Sequence, residues 1–376
     1  MDKKLLHTPE GVRDIYGKEY ARKLRVEKKL HDKLALFGYE DIQTPTFEFF
    51  DVFSKETGTT PSKELYKFFD RDNNTLVLRP DFTPSIARCA AKYFMEEKVP
   101  IRFSYMGNTF TNTSSLQGKL NEVTQMGAEL IGDASVEADA ELISLVAEAL
   151  KSAGLRQFQI SIGEMEYFKG LCEEAGLDEE TELDLREFIS GKNYFAAQEL
   201  LTVRNVKEPY KSTLLKVADM FGSMCSLSEA KKLVHNERSL RAVERLEKLL
   251  EVLKLYNTAE YAAFDLGMLS KYNYYTGVIF KAYTYGVGNA VVKGGRYDNL
   301  LHRFGKEAPA IGFVIVIDDI LEALARQRVE MEIPASPEII FYEPDNSADY
   351  ADKLKAASEL RSSGRPVILT PGEVNA

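Results

Sequence analysis

Patterns typical of β-strands and of α-helices occupy separate stretches of this chain of 376 residues. Strand-like runs recur between residues 39 and 132 and again between residues 261 and 298, with turns between them. Residues 164–256 instead show helical periodicity, interrupted by glycines. Strands grouped in this way favour an antiparallel sheet over a parallel sheet of alternating strands and helices. The sequence therefore predicts an α+β fold: a largely antiparallel sheet flanked by helices, with a helical insertion.

Two local patterns can be assigned from spacing alone. Residues 18–37 predict a helix, because Val26, Leu30 and Leu34 repeat every four residues and Gly38 follows as a stop signal. The strand-like runs on either side of Asp72-Asn73-Asn74 predict a β-hairpin, because Asn and Asp favour tight turns.

The pattern changes again near Pro334. The runs SPEIIFYEP, ADYADKLKAASELRSSG and RPVILTP predict one short βαβ unit. About forty residues bury little core by themselves. We therefore expect a main body of residues 1–163 and 257–328, a helical insertion of residues 164–256, and a short C-terminal α/β segment of residues 335–376.

Charge and hydropathy argue against a nucleic-acid-binding protein and against a membrane-spanning one. The chain has 48 Lys and Arg against 58 Asp and Glu, a formal net charge of −10. Neutralisation of phosphate supplies much of the energy of nucleic-acid binding, so the acidic balance argues against a nucleic-acid partner without excluding a local basic patch. The sequence shows no apolar run of about 18 residues and no signal-peptide pattern. We expect a cytoplasmic protein with no membrane partner.

Cysteines and histidines are scattered along the chain. The three cysteines, Cys89, Cys172 and Cys225, form no CxxC pair, and the four histidines are isolated from one another. A metal site needs several converging ligands, and a disulfide framework needs paired cysteines. The sequence predicts no metal, no cofactor and no disulfide framework.

Seven short segments follow one another in order over the first 325 residues. They are TPEGVRDI (8–15), GYEDIQTPTFE (38–48), LRPDFT (78–83), SYMGNTF with TQMGAELIG (104–132), YNYYTGVIF (272–280), KGGRYDNL (293–300) and PAIGFVIVIDDIL (309–321). In this order they resemble the catalytic core of class II aminoacyl-tRNA synthetases, specifically the histidyl-tRNA synthetase branch. The second, fourth and seventh segments resemble motifs 1, 2 and 3. The resemblance implies that fold and a dimer formed through motif 1.

The resemblance also identifies positions where synthetase chemistry is changed. Synthetases of this branch use three arginines to stabilise negative charge on the α-phosphate, and those positions are Thr111, Ser270 and Asp319 here. We expect the nearby Lys271 to face away and Lys119 to lie too far from the site. Loss of one such donor typically costs about 100- to 1,000-fold in rate. Three losses predict a chain with no adenylation activity and no catalytic residues.

Part of the amino-acid pocket is retained. Positions that line the histidine pocket in the resembling synthetases are Asp81, Gln125, Glu129, Tyr274 and Tyr275. Carboxylates and an amide can bind an α-ammonium group and an imidazole N–H. Asp81 is a shorter acid than the glutamate of the family. The alternative interpretation is a packing role for at least one tyrosine and a structural ion pair for Glu129.

Arg296 in the KGGRYDNL segment has two interpretations. It could line the ligand pocket, or it could pair with a local carboxylate beside a tight turn formed by Gly294 and Gly295. The sequence does not distinguish these two roles.

A retained histidine pocket beside altered activation residues resembles the synthetase-like regulatory subunits of ATP phosphoribosyltransferase. This resemblance implies a non-catalytic chain that activates a short-form catalytic subunit and mediates feedback inhibition by histidine in the first step of histidine biosynthesis. It implies a hetero-oligomer, namely a hetero-octamer, built on dimers of this chain. The alternatives are an active histidyl-tRNA synthetase and a free-standing histidine-binding sensor module.

Overall fold

The computed structural model describes residues 6–53, 60–113, 120–222, 224–270 and 274–372. The chain divides into two compact units. The first contains Met1–Ile15 and Lys23–Val329, and the second contains Tyr16–Arg22 and Glu330–Ala376. No helix in the described ranges is both long and apolar enough to cross a membrane.

The helices and strands are numbered in chain order within the described residues. The helices are α1 (Gly17–Leu36), α2 (Thr83–Tyr93), α3 (Val136–Ala153), α4 (Met165–Glu174), α5 (Glu179–Ser190), α6 (Tyr194–Val203), α7 (Tyr210–Val217), α8 (Met224–Leu233), α9 (Glu237–Leu255), α10 (Ile317–Arg326) and α11 (Ser347–Ser362). The strands are β1 (Glu40–Asp41), β2 (Phe47–Phe49), β3 (Lys67–Phe69), β4 (Thr75–Leu78), β5 (Ile101–Phe110), β6 (Glu122–Ile131), β7 (Phe158–Glu164), β8 (Phe221–Gly222), β9 (Ala262–Asp265), β10 (Val278–Thr284), β11 (Val292–Arg296), β12 (Ala310–Val316), β13 (Glu338–Tyr342) and β14 (Val367–Pro371).

The central sheet is largely antiparallel. In the part of the chain that the structure describes, nine strands form it in the order β1-β5-β6-β12-β11-β10-β7-β9-β8. Only β1 with β5 and β7 with β9 run parallel. Strands β2, β4 and β3 form a separate antiparallel sheet, and β13 pairs in parallel with β14. The predicted α+β fold and the predicted C-terminal βαβ unit are confirmed.

Local sequence explains several element boundaries. The predicted hairpin is formed by β3 and β4, and the Asp70 side chain accepts hydrogen bonds from the backbone N–H groups of Asp72 and Asn74, both at 2.9 Å. Helix α3 begins where Ser135 accepts a hydrogen bond from the Ala138 N–H at 3.1 Å. It ends at Gly154, whose φ of 111° suits a residue without a side chain. The turn residues of the hairpin act as predicted, and α3 is capped by Ser135 at its start and by Gly154 at its end.

Residues 164–256 hold α4 to α9, together with the two-residue strand β8, which pairs with β9. Helices dominate this stretch as predicted, and β8 was not foreseen because a short edge strand has too few residues to show alternation. The three-part division into domains stays a prediction.

A buried apolar cluster lies beneath α2. Phe82, Ile86 and Ala90 pack with Phe103 and Tyr105 of β5, and each is less than a tenth exposed. The cluster anchors the N-terminal end of α2 to the central sheet. That anchoring positions the polar residues around the start of α2, where the candidate site lies.

Candidate functional site

A cluster of polar side chains surrounds Glu129 on one face of the central sheet. Glu129 is on β6 and only 1% exposed. Its Oε1 accepts a hydrogen bond from the Thr83 hydroxyl at 2.7 Å, and its Oε2 accepts one from the Tyr297 hydroxyl. Thr83 begins α2 and Tyr297 directly follows β11, so three separate segments of chain meet at one carboxyl group.

Glycines on the neighbouring strands make room for this cluster. Gly312 of β12 lies opposite Glu129 in the sheet, and Gly295 of β11 lies opposite Gly312. A Cβ atom on Gly312 would lie 1.5 Å from Glu129 Oε2, and one on Gly295 would lie 2.6 Å from the ring of Tyr275. At these two glycines the surface of the sheet has no side chains. It forms a floor over which the Glu129 carboxyl and the Tyr275 ring extend.

Asp81 contributes a second carboxylate beside Glu129. One Asp81 oxygen accepts a hydrogen bond from the Thr83 backbone N–H at 3.2 Å, which places the carboxylate at the N-terminus of α2. Burial and, less strongly, the negative charge of Asp81 raise the pKa of Glu129, of Tyr105 and of Tyr274. Asp81 contributes to all three shifts because it shares one enclosed region with those groups.

The two predicted tyrosines stack on each other. The ring centroids of Tyr274 and Tyr275 are 4.3 Å apart with an interplanar angle of 29°. Tyr274 also packs against the apolar cluster under α2, and its ring lies 6.1 Å from that of Tyr297. Tyr275 covers Gly295 on the floor of the site. The pair thus forms an aromatic wall, with Tyr274 also contributing to packing.

Gln125 lies further along the same strand as Glu129. Side chains four positions apart on a strand share a face, so Gln125, Gly127 and Glu129 point to the same side of β6. The structure therefore brings four predicted residues, Asp81, Glu129, Tyr274 and Tyr275, close together and leaves Gln125 at the margin of the same face. Their role as a histidine site stays a prediction.

Arg296 does not join this cluster. Its guanidinium donates to Asp139 Oδ1 at 2.6 and 2.9 Å and to Asp298 Oδ1 at 3.1 Å. Asp139 belongs to α3, so Arg296 faces that helix while its neighbours Gly295 and Tyr297 face Glu129. Of the two sequence interpretations, the structure shows the local ion pair.

The three positions at which the resemblance predicts a lost arginine lie in different parts of the structure. Thr111 follows β5, and its N–H donates to the Asn121 carbonyl at 2.9 Å. The Ser270 N–H contacts Met165 Sδ at 3.5 Å. Asp319 lies in the first turn of α10, where burial raises the pKa of its carboxyl. Lys119 and Lys271, the cations weighed from the sequence, lie outside the described residues.

Two lysines that the sequence analysis did not weigh lie on the glycine-floored face. Lys281 of β10 and Lys293 of β11 are opposite each other, and the charge of Lys293 opposes the rise in the pKa of Asp319 that burial causes. Burial and then the charge of Lys293 lower the pKa of Lys281. Their side-by-side position depends on strand register, which is why separate segments of sequence did not reveal it. A lysine is a point charge and does not reproduce the planar fork of an arginine.

Glu129 has an unusual protonation equilibrium. Burial raises the pKa of its carboxyl from 4.5 to about 8, against the opposing hydrogen bonds from Tyr297 and Thr83. These surroundings therefore favour the neutral carboxyl at pH 7, and an ammonium or imidazolium group would favour the carboxylate. The arrangement can bind a small cationic N–H donor between a carboxyl group and aromatic rings.

The raised pKa predicts how stability depends on pH. A carboxyl with a higher pKa in the folded state holds its proton more tightly when folded, so it stabilises the protein below the unfolded pKa. This contribution should decline as pH rises from about 4.5 toward 8, by about 1.4 kcal/mol for each unit of pKa difference. Urea unfolding at several pH values measures it. The Glu129→Gln variant should show a shallower decline, and an unchanged slope would contradict the assignment.

Comparison with known proteins identifies the fold. The family model described as histidyl-tRNA synthetase matches residues 11–320. A solved structure from Bacillus halodurans, an ATP phosphoribosyltransferase regulatory subunit/histidyl-tRNA synthetase, superposes with a TM-score of 0.90 at 33% identity, covering 99% of this chain and 94% of that chain. A histidyl-tRNA synthetase from Nostoc sp. has a TM-score of 0.81 at 18% identity, covering 98% of this chain and 86% of that one, and supports the fold alone.

Curated relatives narrow the family. The ATP phosphoribosyltransferase regulatory subunit of Acetivibrio thermocellus is 41% identical over 90% of this chain and 81% of its own length. That of Ruminiclostridium cellulolyticum is 39% identical over 98% of this chain and 88% of its own length. The chain belongs to the histidyl-tRNA synthetase-like family of ATP phosphoribosyltransferase regulatory subunits.

Proposed function

We propose that the chain is a non-catalytic regulatory subunit that activates a short-form ATP phosphoribosyltransferase and transmits feedback inhibition by histidine. The observation that carries the proposal is the cluster around Glu129. It has two carboxyl groups, of Asp81 and Glu129, at positions that line the histidine pocket in the resembling synthetases, whereas the arginine positions of those synthetases are Thr111, Ser270 and Asp319 here. Catalysis then resides on the partner, and no cofactor is needed here.

Histidine matches the chemistry of this cluster. It carries an α-ammonium group and an imidazole ring, and the cluster offers two carboxyl groups, Asp81 and Glu129, for charge-assisted hydrogen bonds. The stacked rings of Tyr274 and Tyr275 offer an aromatic surface for a flat or cationic group. Gln125, on the same face of β6, supplies an amide that can accept or donate.

Adenylation is disfavoured by the charges on this face. A carboxylate at Asp319 opposes the negative charge that develops on an α-phosphate. The positive charge of Lys293 partly offsets the negative charge of Asp319, since it opposes the rise in the pKa of that carboxyl that burial causes. Lys281 and Lys293 are direct neighbours in the sheet and repel each other. They therefore do not replace the three arginines of the synthetases, which converge from separate elements.

Regulation requires that histidine and the catalytic subunit influence each other's binding. Allosteric coupling is typically about 1–3 kcal/mol, and it is reciprocal. The catalytic subunit should therefore change the affinity for histidine by the same factor by which histidine changes the affinity for the catalytic subunit. We propose a hetero-octamer as the assembly in which this coupling operates.

Co-expression with a short-form catalytic subunit tests the function. We expect the two chains to co-elute from size exclusion, with a light-scattering mass equal to a hetero-octamer. Release of pyrophosphate from phosphoribosyl pyrophosphate and ATP should be faster than with the catalytic subunit alone, and histidine should suppress this rate.

Three other outcomes would contradict the proposal. Histidine-dependent exchange of pyrophosphate with ATP by this chain alone would identify an active synthetase. Histidine binding by calorimetry with no effect on the catalytic subunit would identify a free-standing sensor. Failure to form a complex and failure to bind histidine would exclude both of the binding roles.

Exposed aromatic residues support self-association through the small sheet. Phe47, Phe49 and Phe68 are 52%, 56% and 37% exposed. Phe49 and Phe68 both lie opposite Leu76, so they share one face, and the rings of Phe47 and Phe68 are 5.7 Å apart. Exposed apolar surface of this kind is typical of an interface. We propose that a second copy of this chain covers it.

The Phe47→Glu and Phe49→Glu double variant should weaken the dimer. Removing one buried phenylalanine from an interface costs about 1.5–3 kcal/mol, so the dissociation constant should rise by at least about tenfold. Sedimentation velocity over a concentration series measures this. Phe195→Glu is the matched control, because Phe195 is 79% exposed on α6. Equal effects of the two changes would contradict an interface at the small sheet.

A further inference from the structure

A second polar cavity lies on the opposite face of the central sheet from Glu129. Gly163, Ile279, Gly295, Gly312 and Glu129 form one row of paired residues, and the residues next to them in each strand face the other way. Glu164 of β7 and Arg296 of β11 therefore point away from the Glu129 cluster. They line a cavity of about 720 Å³ together with residues of α4 and α9.

Carboxylates outnumber arginines around this cavity. Six acidic residues and four arginines line it. The arginines already have carboxylate partners: Arg238 pairs with Glu166 at 2.7 Å, Arg241 pairs with Glu237, and Arg245 and Arg296 both pair with Asp139. All four arginines are therefore already engaged in ion pairs. In the described part of the lining, the buried polar side-chain atom that still lacks a partner is a hydrogen-bond acceptor, an oxygen of Glu164.

Glu164 is the buried group that supplies this acceptor. It is 1% exposed and caps α4, because one of its oxygens, Oε1, accepts a hydrogen bond from the Glu166 N–H at 3.2 Å. Among the described residues, its other oxygen, Oε2, has no hydrogen-bond partner. A buried carboxyl oxygen without a partner is costly, so such groups usually receive a donor from protein, water or ligand.

The pKa of the Glu164 carboxyl is shifted by the same burial. Burial and, less strongly, the negative charge of Asp139 raise the pKa of its carboxyl to about 8, against the opposing effects of the Glu166 N–H and of Arg245. The described residues contain no group of three or more His, Cys, Asp and Glu side chains suited to a metal ion. An organic cation with N–H donors is thus a better match for a single buried carboxyl than a metal.

We propose that this cavity binds a small organic amine or guanidine, whose cationic N–H group donates to Oε2 of Glu164. The four arginines and six acidic residues make the lining polar, and Asn236 and Thr276 add neutral hydrogen-bonding groups. The volume exceeds what an ammonium group alone fills, so the ligand has the size of a metabolite. The site is separate from the proposed histidine pocket, on the other face of the sheet.

Putrescine and agmatine are the probes, and 1,4-butanediol is the uncharged counterpart of putrescine. We expect saturable binding of the amines to the full-length chain by calorimetry, and none of butanediol. Glu164→Gln should weaken amine binding by about ten- to a hundredfold, the usual effect of losing a charged hydrogen-bond partner. The glutamine oxygen can still cap α4, so the helix end is retained. Glu129→Gln should leave the Glu164-dependent amine binding unchanged.

Two calorimetric results would overturn the proposal. One is amine binding to the wild-type chain no tighter than that of butanediol, and the other is equal amine binding by wild type and Glu164→Gln. Amide chemical shifts give a second measurement that needs no variant: putrescine should perturb the N–H signals of Asn236, Thr276 and Gly277. Perturbation confined to the Glu129 face would place the amine in the other pocket and contradict the site. Histidine binding is measured separately, so failure here leaves the regulatory proposal standing.

Discussion

Glu129→Gln is expected to weaken histidine binding by about ten- to a hundredfold, because a charged hydrogen-bond partner is lost. Burial raises the pKa of the carboxyl to about 8, so at pH 7 it is largely neutral and resembles an amide. The glutamine oxygen can accept from Thr83 and the fold should persist. A bound imidazolium or ammonium requires a carboxylate, which glutamine cannot provide. The loss therefore appears in binding and not in folding.

Calorimetry with histidine measures this effect, and the catalytic subunit supplies a second readout. The concentration of histidine that inhibits the complex should rise by the same factor, while activation without histidine stays unchanged. Glu164→Gln is the matched control, because it changes another buried glutamate with a pKa of about 8 on the opposite face. If Glu129→Gln bound histidine with wild-type affinity, Glu129 would not be part of the histidine site.

Asp139→Ala is expected to cost about 3–5 kcal/mol of the free energy of unfolding, the range found when one partner of a buried ion pair is removed. Asp139 is fully buried in the first turn of α3 and pairs with Arg296 at 2.6 Å and with Arg245 at 2.5 Å. The side chain of Arg296 is 4% exposed, so its charge would remain buried with Asp298 as its remaining carboxylate partner. The variant therefore leaves a buried charge undercompensated.

Glu137→Ala is the control for this prediction. Glu137 lies in the same first turn of α3, and its ion pair with Lys248 is exposed, with side chains 56% and 55% accessible. Its loss should cost at most about 1 kcal/mol. Both changes remove a negative charge near the N-terminus of the same helix, so the helix dipole affects them equally. Equal losses in urea unfolding would show that the Asp139 pair contributes no more than a surface pair.

Much of the architecture was predictable from local pattern. The helix at Gly17–Leu36, the hairpin of β3 and β4 and the C-terminal βαβ unit follow from spacing, turn residues and caps that act within a few positions. The order of the seven motifs correctly indicated the synthetase fold. The short strand β8 escaped prediction because two residues carry no periodicity.

The site was predictable in its members but not in its contacts. Asp81, Glu129, Tyr274 and Tyr275 were named from the family resemblance, and they lie together. Their partners could not be named, since Thr83 is 46 and Tyr297 is 168 positions from Glu129 along the chain. The need for glycine at position 312 arises only from its place opposite Glu129 in the sheet.

The sequence by itself determined the fold class and the family, because periodicity, turn residues and motif order are carried by neighbouring residues. The domain limits, the histidine role of the site residues, the octamer and the cytoplasmic location stay predictions. The tertiary structure alone decided that Arg296 pairs with Asp139, that Lys281 lies beside Lys293, and that Glu164 lines a cavity of its own. Each of these depends on strand register, since a shift by one residue would turn every side chain of a strand to the other face.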